Sequence, residues 1–215
     1  MFQPEAKYEF VRRYCPPSEG WAVFVDIDAS EEGRTGGERT TAEAKERQQQ
    51  MQRDAAAVLE KLKAAGVTVG GAREAWFAKH ELPMVRGDRD IVAFHPEDRR
   101  CVVAEVEAIS SGQAEQKVYK TVGQIVSAAS AAAQEGWTTQ FVLVVHGEKM
   151  AEHLRRMGAL VKLGISGLAL VRRKEEDEWL FGRALDGVDK MDARGAKWIP
   201  WSPNRSSRST AATGS

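Results

Sequence analysis

Apolar runs and helical stripes alternate along this chain, and their spacing divides it into strands and helices. Trp21-Ala22-Val23-Phe24-Val25-Asp26-Ile27 is a mostly apolar run of strand length. A polar stretch from Ser30 to Arg39, containing Gly33, Gly36 and Gly37, reads as a loop. Thr40, with Glu43 three residues later, forms a capping box. The stripe Met51, Ala55, Val58, Leu62 and Ala65, at spacings of four and three, predicts a long helix that Gly66 closes. Three extended runs follow: Val67 to Lys79, Asp88 to Phe94 and Cys101 to Ile109. Ser110-Ser111-Gly112 turns into a second helix, Gln113 to about Gln134. Phe141 to His146 is a continuous apolar run and predicts a buried strand, and Glu148 to Leu163 predicts a third helix. Ile165 to Val171 and Trp179 to Leu185 predict a closing strand pair around the charged turn Arg172 to Glu178. Residues 1–20, punctuated by Pro16, Pro17 and Gly20, read as an irregular lead-in. The Ser, Thr, Arg and Gly tail from Pro203 is too polar to fold.

The run from Asp88 to Phe94 and the run from Cys101 to Ala108 predict a β-hairpin about His95-Pro96-Glu97-Asp98-Arg99-Arg100. In a strand, residues two apart share a face. A turn centred on Glu97-Asp98 sets Asp90 opposite Glu105 and Asp88 opposite Glu107. Like charges so opposed, about 5 Å apart at Cβ, are destabilising unless a cation compensates them. Arg89 is expected on the other face, out of reach of these acids. Four carboxylates on one side therefore predict a metal site. The following helix adds a polar stripe, Gln113, Lys117, Lys120 and Gln124, beside its apolar stripe of Val118, Val122, Ile125 and Ala129. It starts soon after Glu107, so its first lysines can reach back over the strand end.

Composition narrows the reading. Hydrophobic residues make up 42% and charged residues 29% of 215, as in ordinary globular proteins, and the length suits one domain. Thirty-one basic and thirty-one acidic side chains cancel, so overall charge does not favour a nucleic-acid partner and any such surface is local. Cys15 and Cys101 allow neither a disulfide framework nor a zinc spacing. No apolar run reaches membrane-spanning length and no signal peptide is evident, so a soluble intracellular protein, cytoplasmic or nuclear, is expected.

Helix, three strands, helix, strand, with acids on the second and third strands, resembles the PD-(D/E)XK nuclease superfamily. The resemblance covers residues 41–146 and implies an α/β fold (α+β in some schemes). That fold is a restriction-endonuclease-like mixed β-sheet flanked by helices, core order αβββαβ. Residues 1–40 become an N-terminal extension, 41–202 the domain and 203–215 a disordered tail. Asp90 in Gly87-Asp88-Arg89-Asp90-Ile91-Val92 matches the family's first acid and Glu105 the second, whereas Glu107 stands where the motif has lysine. Some members supply that lysine from the next helix, here Lys117 or Lys120, and several place a glutamine there, here Gln124. The implied activity is Mg²⁺-dependent hydrolysis of nucleic-acid phosphodiesters, with Mn²⁺ able to substitute. Asp90 and Glu105 would be metal ligands, Glu107 a further ligand or a metal-adjacent base, and Lys117 or Lys120 the positive partner. Asp88, Gln113 and Gln124 flank this set. Loss of the motif lysine also suits an alternative: a catalytically inactive nuclease-fold protein used for binding or as a scaffold.

A different class is suggested by Val25-Asp26-Ile27-Asp28-Ala29-Ser30, which resembles the nucleophile motif of haloacid-dehalogenase-like phosphatases with Asp26 attacking phosphate. The later acidic pair and the strand–helix alternation of that family are missing. The loop with Arg34 and Arg39 lacks P-loop spacing and reads as a connector. The four histidines are scattered, and Trp198-Ile199-Pro200-Trp201 reads as a docking segment for the C-terminus.

Overall fold

The computed structural model describes residues 3–27, 41–85, 87–108, 114–130, 136–173 and 178–183. The expected Gly-rich loop with Arg34 and Arg39, Asp28, Gln113, the Trp198–Trp201 segment and the tail lie outside them.

The chain begins with a helix, α1 (Gln3–Tyr14), where an irregular lead-in was expected. Ala6, Phe10 and Val11, four and one apart, form its buried stripe, and Pro4 sits in the first turn, where no backbone N–H is needed. The stripe is narrow and interleaved with Glu, Lys and Arg, which hid it from the sequence pattern. After a 3₁₀ turn at Pro17–Glu19 comes β1 (Ala22–Val25). Helix α2 (Ala42–Ala64) is capped by Thr41, whose Oγ1 accepts from Ala44 N–H at 3.2 Å, one residue later than the expected box. Its buried side chains, Ala55, Val58 and Leu62, fall in the second half.

Val67 to Lys79 is not one strand. It splits into β2 (Thr68–Val69) and helix α3 (Arg73–Lys79), parted by Gly70 and Gly71, both at positive φ. Trp76 and Phe77 are good strand formers by propensity, but as helix residues both reach Phe94, and Trp76 also meets Phe24. The hairpin follows as β3 (Ile91–His95) and β4 (Arg100–Glu107), paired Ile91 to Ala104 and Phe94 to Cys101, the register implied by a turn on Glu97-Asp98. Next come α4 (Ala114–Ser130) and β5 (Thr138–His146). The expected helix 148–163 is broken into α5 (Glu148–Arg155) and α6 (Ala159–Lys162), and β6 (Ile165–Arg173) and β7 (Glu178–Arg183) close the sheet.

Among the described residues, seven strands form one mixed sheet in the order β2-β1-β3-β4-β5-β6-β7. From β1 through β3 to β4 it is an antiparallel meander; β4, β5 and β6 are parallel, with helices in the crossovers, and β7 returns antiparallel. One face packs Val25, Ile91, Ala104, Val106 and Val144 under α1 and α2. The other packs Phe24, Phe94, Val103, Leu143 and Val145 under α3, α4, α5 and α6. The architecture is therefore α/β, a mixed sheet between two helical layers. Because β1 lies inside the sheet, between β2 and β3, residues 3–25 are part of the domain rather than an extension. Among the described residues, no helix is long and apolar enough to cross a membrane.

Candidate functional site

Strand directions bring chemistry to one edge of the sheet. β1 ends beside the start of β3, β3 starts beside the end of β4, and β4 and β5 end together. Carboxyl ends of parallel strands, next to a change of strand direction, are where open sheets usually bind ligands. Asp26 extends β1 by donating its N–H to the Asp90 carbonyl at 2.9 Å.

Asp90 lies one residue before the β3 ladder, so its carboxylate bends toward the sheet edge. Oδ2 accepts from Val106 N–H at 2.7 Å, and Oδ1 meets Lys7 Nζ at 2.7 Å. Lys7 is wholly buried on the inner stripe of α1 and also donates to the Asp26 carbonyl at 2.6 Å. Gln3, one turn earlier, donates to the Val106 carbonyl at 2.7 Å. Helix α1 is thus pinned over the ends of β1, β3 and β4. The signal available in the sequence was a lysine set between Ala6 and the Phe10-Val11 pair on one helical face.

Glu105 is 1% exposed, and its carboxyl lies within hydrogen-bonding reach of Asp90. Burial first, and then the Asp90 charge, push it up to about 7, against the pull of Arg89. Arg89 Nη1 reaches Glu105 Oε1 at 3.2 Å and the Gln124 carbonyl at 2.9 Å. This overturns the expectation that Arg89 faces away. Alternation holds within a ladder, and the ladder starts at Ile91, leaving Arg89 free to turn. Gln124 contributes here through its backbone oxygen.

Glu107 Oε1 takes Lys117 Nζ at 3.1 Å, and Thr121 Oγ1 stands 3.5 Å from Oε2. Lys117 also donates to the Ala108 carbonyl at 3.3 Å. Lys120 is exposed and makes no contact with the acids among the described residues. The buried stripe of α4 runs through Val118, Thr121, Ile125 and Ala128, and Lys120 lies well round the helix from it. Asp88 is exposed and has no ladder partner, so the expected Asp88–Glu107 pair does not form. Its charge acts instead on Asp26 and Arg73. Asp26 is raised, chiefly by burial, with Lys7 opposing. It lies at this same edge, beside Asp90.

The structure thus brings together Asp90, Glu105, Glu107 and Lys117 as the sequence suggested, and adds Lys7, Arg89, Gln3 and Thr121, which the pattern missed. Crowding of the acids is relieved by three bases of the chain itself. Among the described residues, no group of three or more Asp, Glu, His or Cys side chains is gathered as a metal centre. The donor set that remains is the Asp90–Glu105 pair: hard oxygens set opposite each other by the hairpin register, with the Asp90 charge helping to raise Glu105, a place a single divalent ion can take. Glu107, tied to Lys117, stands outside that pair.

No protein-family model, curated protein or solved structure matches this chain.

Proposed function

We propose that this chain is a metal-dependent phosphodiester hydrolase of restriction-endonuclease-like type, acting on nucleic acid through Asp90 and Glu105. The observation that carries the reading is the register at the sheet edge, which sets Asp90 one residue before and Glu105 one residue after the Ile91–Ala104 pair, with a lysine-bearing helix over the next acid. Element order supports it: helix α1, the meander β1–β3–β4, helix α4 and strand β5 follow the αβββαβ sequence, with α2, β2 and α3 inserted after β1. The acids stand before the second strand of that series and at the end of the third.

Asp90 and Glu105 would hold one Mg²⁺ or Mn²⁺ ion, which when bound polarises a phosphoryl oxygen and acidifies water. The Val106 N–H fixes the direction of Asp90, and Gln3 holds the carbonyl of the same residue, in the next peptide along. Glu107, mostly buried beside Lys117, is placed to accept a proton from an attacking water, while Lys117 offers a point charge to a developing phosphorane. Lys7 neutralises and orients the Asp90 carboxylate at 2.7 Å, which replaces by position what the motif lysine supplies elsewhere.

The test is cleavage of labelled DNA and RNA strands with Mg²⁺ titrated in. Asp90→Asn and Glu105→Gln should each lower the rate at least about 100-fold, and Asp90→Asn should weaken ion binding. Lys117→Ala should slow cleavage and Lys120→Ala should not. A folded wild type that never cleaves, with ion binding indifferent to Asp90→Asn, ends this reading. One observation favours a second: each acid already has its own base, as suits a nuclease-fold binding domain without catalysis. That domain would bind strands equally with and without Mg²⁺.

A further inference from the structure

Beside the carboxylates lies a pair of guanidinium groups that the hydrolytic reading does not use. Arg73 donates Nη1–H to the Gly87 carbonyl. Its Nε and Nη2, the two groups on one edge of the guanidinium, are shielded from solvent and have no hydrogen-bond partner among the described residues. Arg89 lies against the same glycine: a Cβ at Gly87 would stand 2.9 Å from Arg89 Nη2. Gly87 also adopts φ +79°, a left-handed conformation that side chains resist. A bare backbone there lets two cations approach each other. Burial foremost, with the Arg89 charge adding to it and Asp88 opposing, lowers the Arg73 pKa. No carboxylate forms an ion pair with Arg73 among the described residues. Shielded donors without acceptors cost free energy, and a second cation nearby increases the demand for an anion.

We propose that the Nε–Nη2 edge of Arg73 is a seat for a phosphate oxyanion, with Gly87 as its floor and Arg89 as its neighbour. The fork of a guanidinium edge matches two phosphate oxygens side by side, which an ammonium group cannot do. Arg89 links this seat to Glu105, so the seat adjoins the carboxylate pair. Resting on the proposed hydrolase reading, its occupant is a backbone phosphate of the substrate strand adjacent to the one cleaved. Inorganic phosphate presents the same oxygens and serves as the simplest probe.

The experiment follows the Arg73 Nε–H resonance of the full chain by NMR, without metal, as inorganic phosphate and then a 5′-phosphorylated dinucleotide are added. A saturable shift at Arg73 with both, tighter for the dinucleotide, is expected. Arg73→Lys keeps the charge and loses the fork, and should weaken dinucleotide binding about tenfold or more. Saturation by inorganic phosphate alone, with no response to the dinucleotide, overturns the strand assignment. No shift at Arg73, or affinity unchanged in Arg73→Lys, overturns the seat itself. The wild-type resonance decides the matter even if the variant folds poorly. A chain that cleaves strands without this shift sinks the seat alone; one that binds phosphate but never cleaves sinks the hydrolase reading and leaves the seat.

Discussion

The two ends of the β3–β4 hairpin carry similar numbers of charges and treat them differently. At the turn, His95 Nδ1 and Arg100 Nη1 approach Asp98 Oδ2 at 3.6 and 3.9 Å, and the Asp98 side chain is 27% exposed. All three residues lie within six positions of one another. At the open end, Lys7 meets Asp90, Arg89 meets Glu105, and Lys117 meets Glu107, at 2.7, 3.2 and 3.1 Å. These pairs join parts of the chain ten to eighty-three residues apart; the first two lie largely out of water, while Lys117 is 26% exposed, much like Asp98. Loose local pairs contribute little to stability and cost little. Buried pairs pay a desolvation penalty that apolar side chains of the same shape would avoid. Stability therefore gives no reason to keep the Lys7–Asp90 and Arg89–Glu105 pairs together at one sheet edge, whereas an oxygen-rich site does.

The largest expected effect tests that contrast directly. Lys7→Met should destabilise the fold by about 3 kcal/mol, because it leaves the Asp90 carboxylate bound to Val106 N–H with no counter-charge. Adding Asp90→Asn should restore much of the loss. Urea unfolding of the two single variants and the double variant measures this coupling. A loss as small as that expected at the turn would place the open end in effectively aqueous surroundings.

A smaller effect lies with His146, which follows Val145, the partner of Glu107, at the same sheet edge. Burial foremost pushes its imidazole down to about 4. In the unfolded chain it takes up a proton near pH 6.5, and in the folded protein only near 4. Between those values the unfolded state binds the extra proton, so this contribution to stability is present above pH 6.5 and is lost as pH falls toward 4. His146→Gln should therefore lose melting temperature less steeply over that window than wild type. Parallel slopes would show that burial at the open end does not extend to β5.

The difference between the ends also marks what the sequence could convey. The hairpin register was legible because alternation on both strands and a short turn agree on one pairing, and that register carried Asp90 to Glu105. Lys117 was legible through helix spacing. Lys120 was set wrongly because the rotation of α4 depends on Thr121 and Ala128, small residues that the apolar stripe had left out. Arg89 and Asp88 were set wrongly for another reason: periodicity describes residues inside an element, and both precede β3. Lys7 had no visible role until α1 was docked, since its partners are more than eighty residues away or are backbone carbonyls. A site made where strands end is written mainly in tertiary contacts.

The smallest effect is expected at the turn. Asp98→Asn removes the charge facing His95 and Arg100 but retains the backbone N–H that Asp98 donates to His95 Nδ1 at 3.3 Å. The change in unfolding free energy should stay within about 0.5 kcal/mol. Salt separates the ends further. Partly exposed charges are screened within a Debye length of roughly 8 Å at physiological ionic strength, while buried pairs are screened far less. Raising salt should thus erase what little Asp98→Asn costs and leave the Lys7–Asp90 coupling nearly intact. If both couplings fade together, the two ends share one dielectric environment, and the case for a site at the open end loses its physical basis.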